Sequence, residues 1–164
     1  MSAPQVVHGS LAYPRSQARP VVTIGNFDGV HRGHRALVRT AIERAKQLGE
    51  PSCVYTFDPA PRDVLRPDNP VQRIQSLDAK VALLGSLGVD QVVVEPFTRD
   101  FGAHGGEWFA DEVLTRRLRA STVVVGWDFR FGKGRSGTVD ALREWMDVPV
   151  VQVSALADGD AVVS

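Results

Sequence analysis

Val21-Val22-Thr23-Ile24-Gly25-Asn26-Phe27-Asp28-Gly29-Val30-His31-Arg32-Gly33-His34 joins an apolar run to a glycine-bearing turn and then to a helical pattern. Leu37, Val38, Ala41, Ile42, Ala45 and Leu48 follow at helical spacing, so the stretch reads as strand, turn and helix start. A helix N-terminus offers unpaired backbone N–H groups and the positive end of a dipole, which together hold phosphate. His31 and His34 stand at that end, and Gly33 removes a side chain between them. Two imidazoles and bare backbone can therefore converge on one anion. A tight turn with incidental histidines is the competing explanation of the same residues. Asn26 and Asp28 suit the turn itself, because their side chains hydrogen-bond local backbone. For Asp28 turn formation is the favoured role, and for Asn26 a ligand contact is equally open.

Working outward, strand-like runs at about 21–26, 52–57, 91–95, 121–126 and 148–153 alternate with helical stretches at about 34–48, 77–87, 106–119 and 137–146. Gly49 and Gly88 stand just past two helix ends, as C-terminal caps do. Val92-Val93-Val94 and Val123-Val124-Val125 are apolar on both faces, as in a parallel sheet covered on both sides. The pattern predicts a doubly wound, Rossmann-like α/β domain with a five-stranded parallel sheet. Residues 1–20, with Pro4, Gly9, Pro14 and Pro20 and no clear period, read as an arm lying on a domain of residues 21–164.

The chain has 164 residues, enough for one domain with its own core, and a formal net charge of zero. No global field recruits nucleic acid or a membrane, so an anionic ligand must be held by local charge. Lysine occurs only at Lys46, Lys80 and Lys133; the other basic residues are arginine. Cys53 is the one cysteine and lies in an apolar run, which excludes an internal disulfide or a thiolate metal cluster. No run reaches the length of a membrane span and no secretory leader pattern opens the chain, so a cytoplasmic protein is expected.

Ligands in such sheets bind beyond the carboxyl ends of the strands, where the strand order reverses. The segment Phe57-Asp58-Pro59-Ala60-Pro61-Arg62 leaves the second strand with two stiffening prolines, and Gly126-Trp127-Asp128-Phe129-Arg130-Phe131-Gly132-Lys133-Gly134-Arg135 leaves the fourth. Arg130, Lys133 and Arg135 bring positive charge to that edge; a solvated basic loop is the alternative. The stretch fails as a Walker A loop, because its spacing is wrong and Gly134 replaces the Ser or Thr. The turn after the first strand also lacks the spacing of a dinucleotide G-x-G-x-x-G.

The string Gly25–His34, the Tyr55-Thr56-Phe57-Asp58-Pro59-Ala60-Pro61 stretch and the Val125–Gly134 stretch resemble, in order, the motifs of the FMN adenylyltransferase module of bacterial bifunctional riboflavin kinase/FAD synthetases. The resemblance runs over roughly residues 20–164. It implies a nucleotidyltransferase of the HxGH type that joins FMN and ATP into FAD and pyrophosphate, with Mg²⁺ carried by ATP and no dedicated metal site. It implies His31 and His34 as the catalytic pair. ATP would be held by Gly25, Asn26, Phe27, Gly33, Asp128, Arg130 and Lys133, the first three by backbone. Flavin would lie against Asp58, Pro59, Pro61, Arg62, Phe109 and Phe131. Where many relatives have His, this chain has Ala60. Relatives also continue into a Ser-Ser-Thr-x-x-Arg segment near Ser164 and then a riboflavin kinase domain, so the domain is expected to be cut short at its C-terminal end. Other HxGH transferases, acting on pantetheine phosphate, nicotinamide mononucleotide or a cytidylyl acceptor, share the first motif but not Asp128-Phe129-Arg130-Phe131-Gly132. A binding fragment without activity is the further alternative.

Overall fold

Val21, Val22, Thr23 and Ile24 are all buried, and the reason is their position at the centre of a sheet. A computed structural model describes residues 3–27, 32–59, 61–65, 76–155 and 161–163. Its strands are β1 (Gln5–His8), β2 (Val21–Ile24), β3 (Ser52–Phe57), β4 (Gln91–Glu95), β5 (Thr122–Gly126), β6 (Val150–Ala155) and β7 (Ala161–Val163). They lie in the order β1-β4-β3-β2-β5-β6-β7, parallel throughout except for the antiparallel β6–β7 pair.

Period-2 alternation sorts the side chains into two cores. Val21, Val54, Val92, Val94 and Val124 face the layer of α1 (Arg32–Leu48) and α3 (Leu77–Ser86). Val22, Ile24, Cys53, Tyr55, Val93, Val123 and Val125 face the opposite layer. That layer holds α5 (Gly106–Trp108), which continues as a π-helix over Phe109–Arg117, and α6 (Val139–Trp145). Two short helices, α2 (Pro61–Leu65) and α4 (Arg99–Gly102), follow β3 and β4. The doubly wound Rossmann-like expectation therefore holds.

Three details differ from the sequence expectation. The sheet has seven strands rather than five, because β1 joins the outer edge of β4 and β7 folds back on β6. Residues 5–8 are thus a strand of the sheet rather than part of an arm lying on the domain; Gln5-Val6-Val7-His8 is short and only Val7 is buried, too little alternation to register as a strand. The helix expected over 106–119 is wound wide for most of its length. Leu118 N–H donates to Val113 O at 3.0 Å, and the ion pairs Arg116–Asp111 (3.5 Å) and Arg117–Glu112 (3.0 Å) are five residues apart, the spacing that aligns on a π-helix.

β2 sits where the strand order turns, since the chain passes outward through β3 and β4 and then returns to place β5 on the other side of β2. Val21 pairs with both Ser52 and Thr122, so the turns after β2, β3 and β5 open at one carboxyl edge. A crevice at that point is the usual ligand position in such sheets.

Candidate active site

The turn after β2 is built under strain and then locked. Phe27 has φ of +54°, a left-handed conformation that costs a non-glycine residue roughly 1–2 kcal/mol. Its ring is completely buried, a gain of roughly 1.5–3 kcal/mol that offsets the strain. Gly25 makes room for this, because a Cβ there would lie 3.0 Å from the Phe27 ring. The ring then packs on the imidazole of His34, with centroids 5.1 Å apart. Sequence alone gives Phe27 a place near ATP; its side chain lies beneath the site, so only its backbone can face a ligand.

Above this turn lies a cleft of about 1030 Å³, at the upper end of the range for small-molecule sites. Gly25, Asn26, His34, Asp128, Arg130 and Lys133 line it, as do Pro61, Phe109 and Phe131. Motifs more than a hundred residues apart therefore meet in one cavity. Asp58 and Pro59 are not in its wall: Asp58 N–H donates to Glu95 O at 3.1 Å and Pro59 is exposed beside it. Gly33 and Arg62 lie in α1 and α2, and their side chains are outside the description. His31 and Asp28 lie outside the described residues.

Much of the cleft wall is aromatic. Six of the chain's seven phenylalanines, Phe57, Phe97, Phe101, Phe109, Phe129 and Phe131, line it together with Trp108 and Trp127. Phe129 and Phe131 are 4.9 Å apart, Phe131 and Phe109 5.3 Å, and Phe57 meets Phe97 edge-on at 5.5 Å. Such a wall accepts a flat, apolar ring system. Phe109 is mostly core, and Trp127 is the opposite, 59% exposed at the rim.

The same wall carries positive charge. Arg99, Arg130, Lys133 and Arg135 line the cleft, and among the described residues Asp128 is the one carboxylate there. On a chain of zero net charge this local excess suits an anion. Arg99, His104 and Trp108 were not distinguishable in sequence; the fold carries them here on the segment after β4. Aromatic enrichment of residues 97–109 was the available hint.

One glycine contact and one backbone hydrogen bond join the loop after β5 to the segment after β4. Gly132 lies against Gly106 so tightly that a Cβ on Gly132 would sit 2.5 Å from Gly106 N, and Lys133 N–H donates to His104 O at 3.0 Å. His104 in turn stacks on Trp108 at 3.7 Å, and the Arg117 guanidinium lies 5.6 Å from the same indole.

A buried polar network backs the aromatic wall. Glu95 accepts from Ser10 N–H (2.8 Å), Ser10 Oγ (2.5 Å) and Tyr55 OH (2.9 Å), and Arg117 Nη1 donates to Ser10 Oγ at 3.1 Å. Burial, with the Glu95 charge as a second cause, pushes the Tyr55 hydroxyl far above its ordinary range, so it stays a donor. Among the described residues no group of three or more His, Cys, Asp or Glu side chains is gathered to hold a metal, and no helix is long and apolar enough to cross a membrane.

Comparison with known proteins places this geometry. The FAD synthetase family profile matches residues 13–164. The chain is 40% identical over 144 residues to a Geobacillus thermodenitrificans protein provisionally named a bifunctional riboflavin kinase/FMN adenylyltransferase, covering 88% of this chain and 78% of that one. It is 42% identical over 117 residues to the bifunctional riboflavin kinase/FMN adenylyltransferase of Escherichia coli, covering 71% of this chain and 37% of that protein. The protein of the same name from Pseudomonas fluorescens is 42% identical over 123 residues, with 75% and 39% covered. In fold the chain matches a crystal structure described as a macrolide-efflux protein from Streptococcus pneumoniae, with a TM-score of 0.81, 24% identity, and coverage of 95% of this chain and 52% of that one.

Proposed function

This chain belongs to the FAD synthetase family, and from that premise we propose that it transfers the adenylyl group of ATP to FMN, giving FAD and pyrophosphate. The observation that carries the proposal is one cleft lined by an aromatic cluster, by Arg99, Arg130, Lys133 and Arg135, and by Gly25, Asn26 and His34 near the start of α1. FMN and ATP each combine a flat ring with phosphate, and the aromatic and cationic linings suit those parts. The phosphate oxygen of FMN attacks the α-phosphorus of ATP, the new P–O bond forms as the bond to the β-phosphate oxygen breaks, and pyrophosphate departs.

Catalysis of such a transfer rests on positioning and charge stabilisation rather than on a covalent intermediate. In this reading His34, with His31, donates hydrogen bonds to the phosphate oxygens as charge builds. Backbone of Gly25, Asn26 and Phe27, with Gly33 at the helix start, holds the nucleotide; Asp128 orients it and Arg130 and Lys133 neutralise the polyphosphate. Phe131, Phe109 and Pro61 border the flavin. Asp58 and Pro59 follow β3 outside the cleft wall, and Arg62 stands next to Pro61 on α2. Mg²⁺ arrives with the ATP phosphates, since this ion keeps several waters and needs few protein ligands.

The bifunctional relatives are named for a riboflavin kinase activity as well, and this chain spans 37–39% of the length of two of them. A riboflavin kinase domain following the present one is part of the proposal. Incubating the chain with FMN, ATP and Mg²⁺ and resolving flavins by chromatography tests it. FAD should form, while pantetheine phosphate and nicotinamide mononucleotide should not be adenylylated. Equal turnover of either competitor would refute the assignment.

A further inference from the structure

Of the chain's three lysines, Lys46 and Lys133 are exposed, whereas Lys80 is buried on α3 with 8% of its surface accessible. A buried lysine in an arginine-rich chain calls for a physical role. Its ammonium donates to the backbone carbonyl of Asn26 at 2.6 Å, and Thr56 Oγ1 on β3 donates to the same oxygen at 3.1 Å. The Asn26 carbonyl shares a rigid peptide plane with the N–H of Phe27. Holding that oxygen therefore fixes the φ of +54° at Phe27, which in turn sets the buried ring that packs on His34.

We propose that Lys80 is a positioning residue for the adenylyl-transfer site: with Thr56 it clamps the peptide plane between Asn26 and Phe27, and so aligns His34 without touching substrate. The charged donor at 2.6 Å is the stronger of the two, because an ionised donor makes a shorter and roughly doubled hydrogen bond. Thr56 adds direction from the sheet. Two elements far apart in sequence, α3 and β3, thereby converge on the turn that precedes α1.

The kinetic part of the proposal rests on FMN adenylylation, so the test pairs it with a readout that needs no substrate. Lys80→Met, Thr56→Val and the double variant are compared by amide hydrogen exchange at Gly25, whose N–H donates to Tyr55 O at 3.1 Å where the turn begins, and by kcat and KM for ATP in FAD formation. Lys80→Met should speed exchange at Gly25 about tenfold while the rest of β3 and β4 keep their protection. It should lower kcat by about ten- to a hundredfold, the scale of a misplaced catalytic group, and change KM less. Thr56→Val, near-isosteric, should act the same way more weakly. The double variant should be no worse than about twofold below Lys80→Met, because both donors serve one oxygen.

Wild-type exchange and kcat in Lys80→Met and Thr56→Val, losses that multiply in the double variant, or faster exchange spread evenly through the sheet would each overturn the proposal. Should Lys80→Met fail to fold, local exchange at Gly25 in Thr56→Val decides. A wild-type chain that makes no FAD refutes adenylyl transfer, whereas exchange at Gly25 still judges Lys80.

Discussion

Replacing Gly132 by alanine should push apart the two segments that line the cleft beside His104 and Trp108, and the structure allows the cost to be worked out. Gly132 has φ of 78° and ψ of 173°, a region that is essentially glycine-only and costs another residue about 1–3 kcal/mol. An alanine Cβ there would also lie 2.5 Å from Gly106 N and 2.7 Å from Gly106 Cα, closer than real Cβ contacts come. Both neighbours are backbone, so relief requires moving the segment that carries His104 and Trp108; overpacking of this kind costs about 1–3 kcal/mol. The sum, about 2–6 kcal/mol, corresponds in a domain of this size to a Tm lower by on the order of 10 °C. Gly134→Ala is the matched control. Gly134 also has a positive φ, 66°, but a Cβ would meet nothing within 4 Å, so only the left-handed penalty of about 1 kcal/mol applies. Thermal unfolding and FMN titration of both variants provide the check. Gly132→Ala should weaken FMN binding about tenfold or more, a loss of at least 1.4 kcal/mol, and Gly134→Ala about twofold or less. Equal Tm shifts, or an unchanged FMN titration in Gly132→Ala, would refute the glycine-contact account of the cleft.

His34→Ala should reduce the rate of FAD formation by about a hundredfold or more while FMN affinity changes little, since a preorganised donor is worth about 3 kcal/mol in the transition state; single-turnover kinetics beside an FMN titration separate the two. Arg130→Ala with Lys133→Ala should weaken ATP binding and flatten its salt dependence, which calorimetry across ionic strengths would detect. Stability should fall in alkali through Cys53, whose thiol is pushed by burial from 9.0 up to about 12. Below pH about 9 both folded and unfolded chains hold that proton; above it the unfolded chain loses it first, so stability falls by about 1.4 kcal/mol per pH unit until the folded thiol also titrates. Between pH 8 and 10.5 wild type should therefore lose about 2 kcal/mol more than Cys53→Ala in urea unfolding, and parallel losses would contradict the buried-thiol account.

The central strands, the amphipathic first helix and the start of the turn at Gly25–Phe27 were legible in sequence because their determinants are local: apolar runs, helical spacing and a glycine where the strand ends. The same holds for Gly49, whose φ of +67° is a helix-end property of its own residue. Residues 5–8 were not legible, since four residues with one buried side chain become a strand only when β4 offers its edge. The wide winding of Phe109–Arg117 was equally hidden, because an amphipathic face looks alike at either pitch until it is packed. Sequence singled out Gly25, Asn26, His34 and the Asp128–Lys133 loop through their residue types, and the fold gathers them in one cleft. Only the strand order decided that Arg99, His104 and Trp108 join them, that Asp58 and Pro59 stand aside, and that a lysine on α3 reaches the Asn26 carbonyl. Those are contacts between segments 50 to 100 residues apart, and no local pattern encodes a distance that the packing of two helix layers on one sheet first creates.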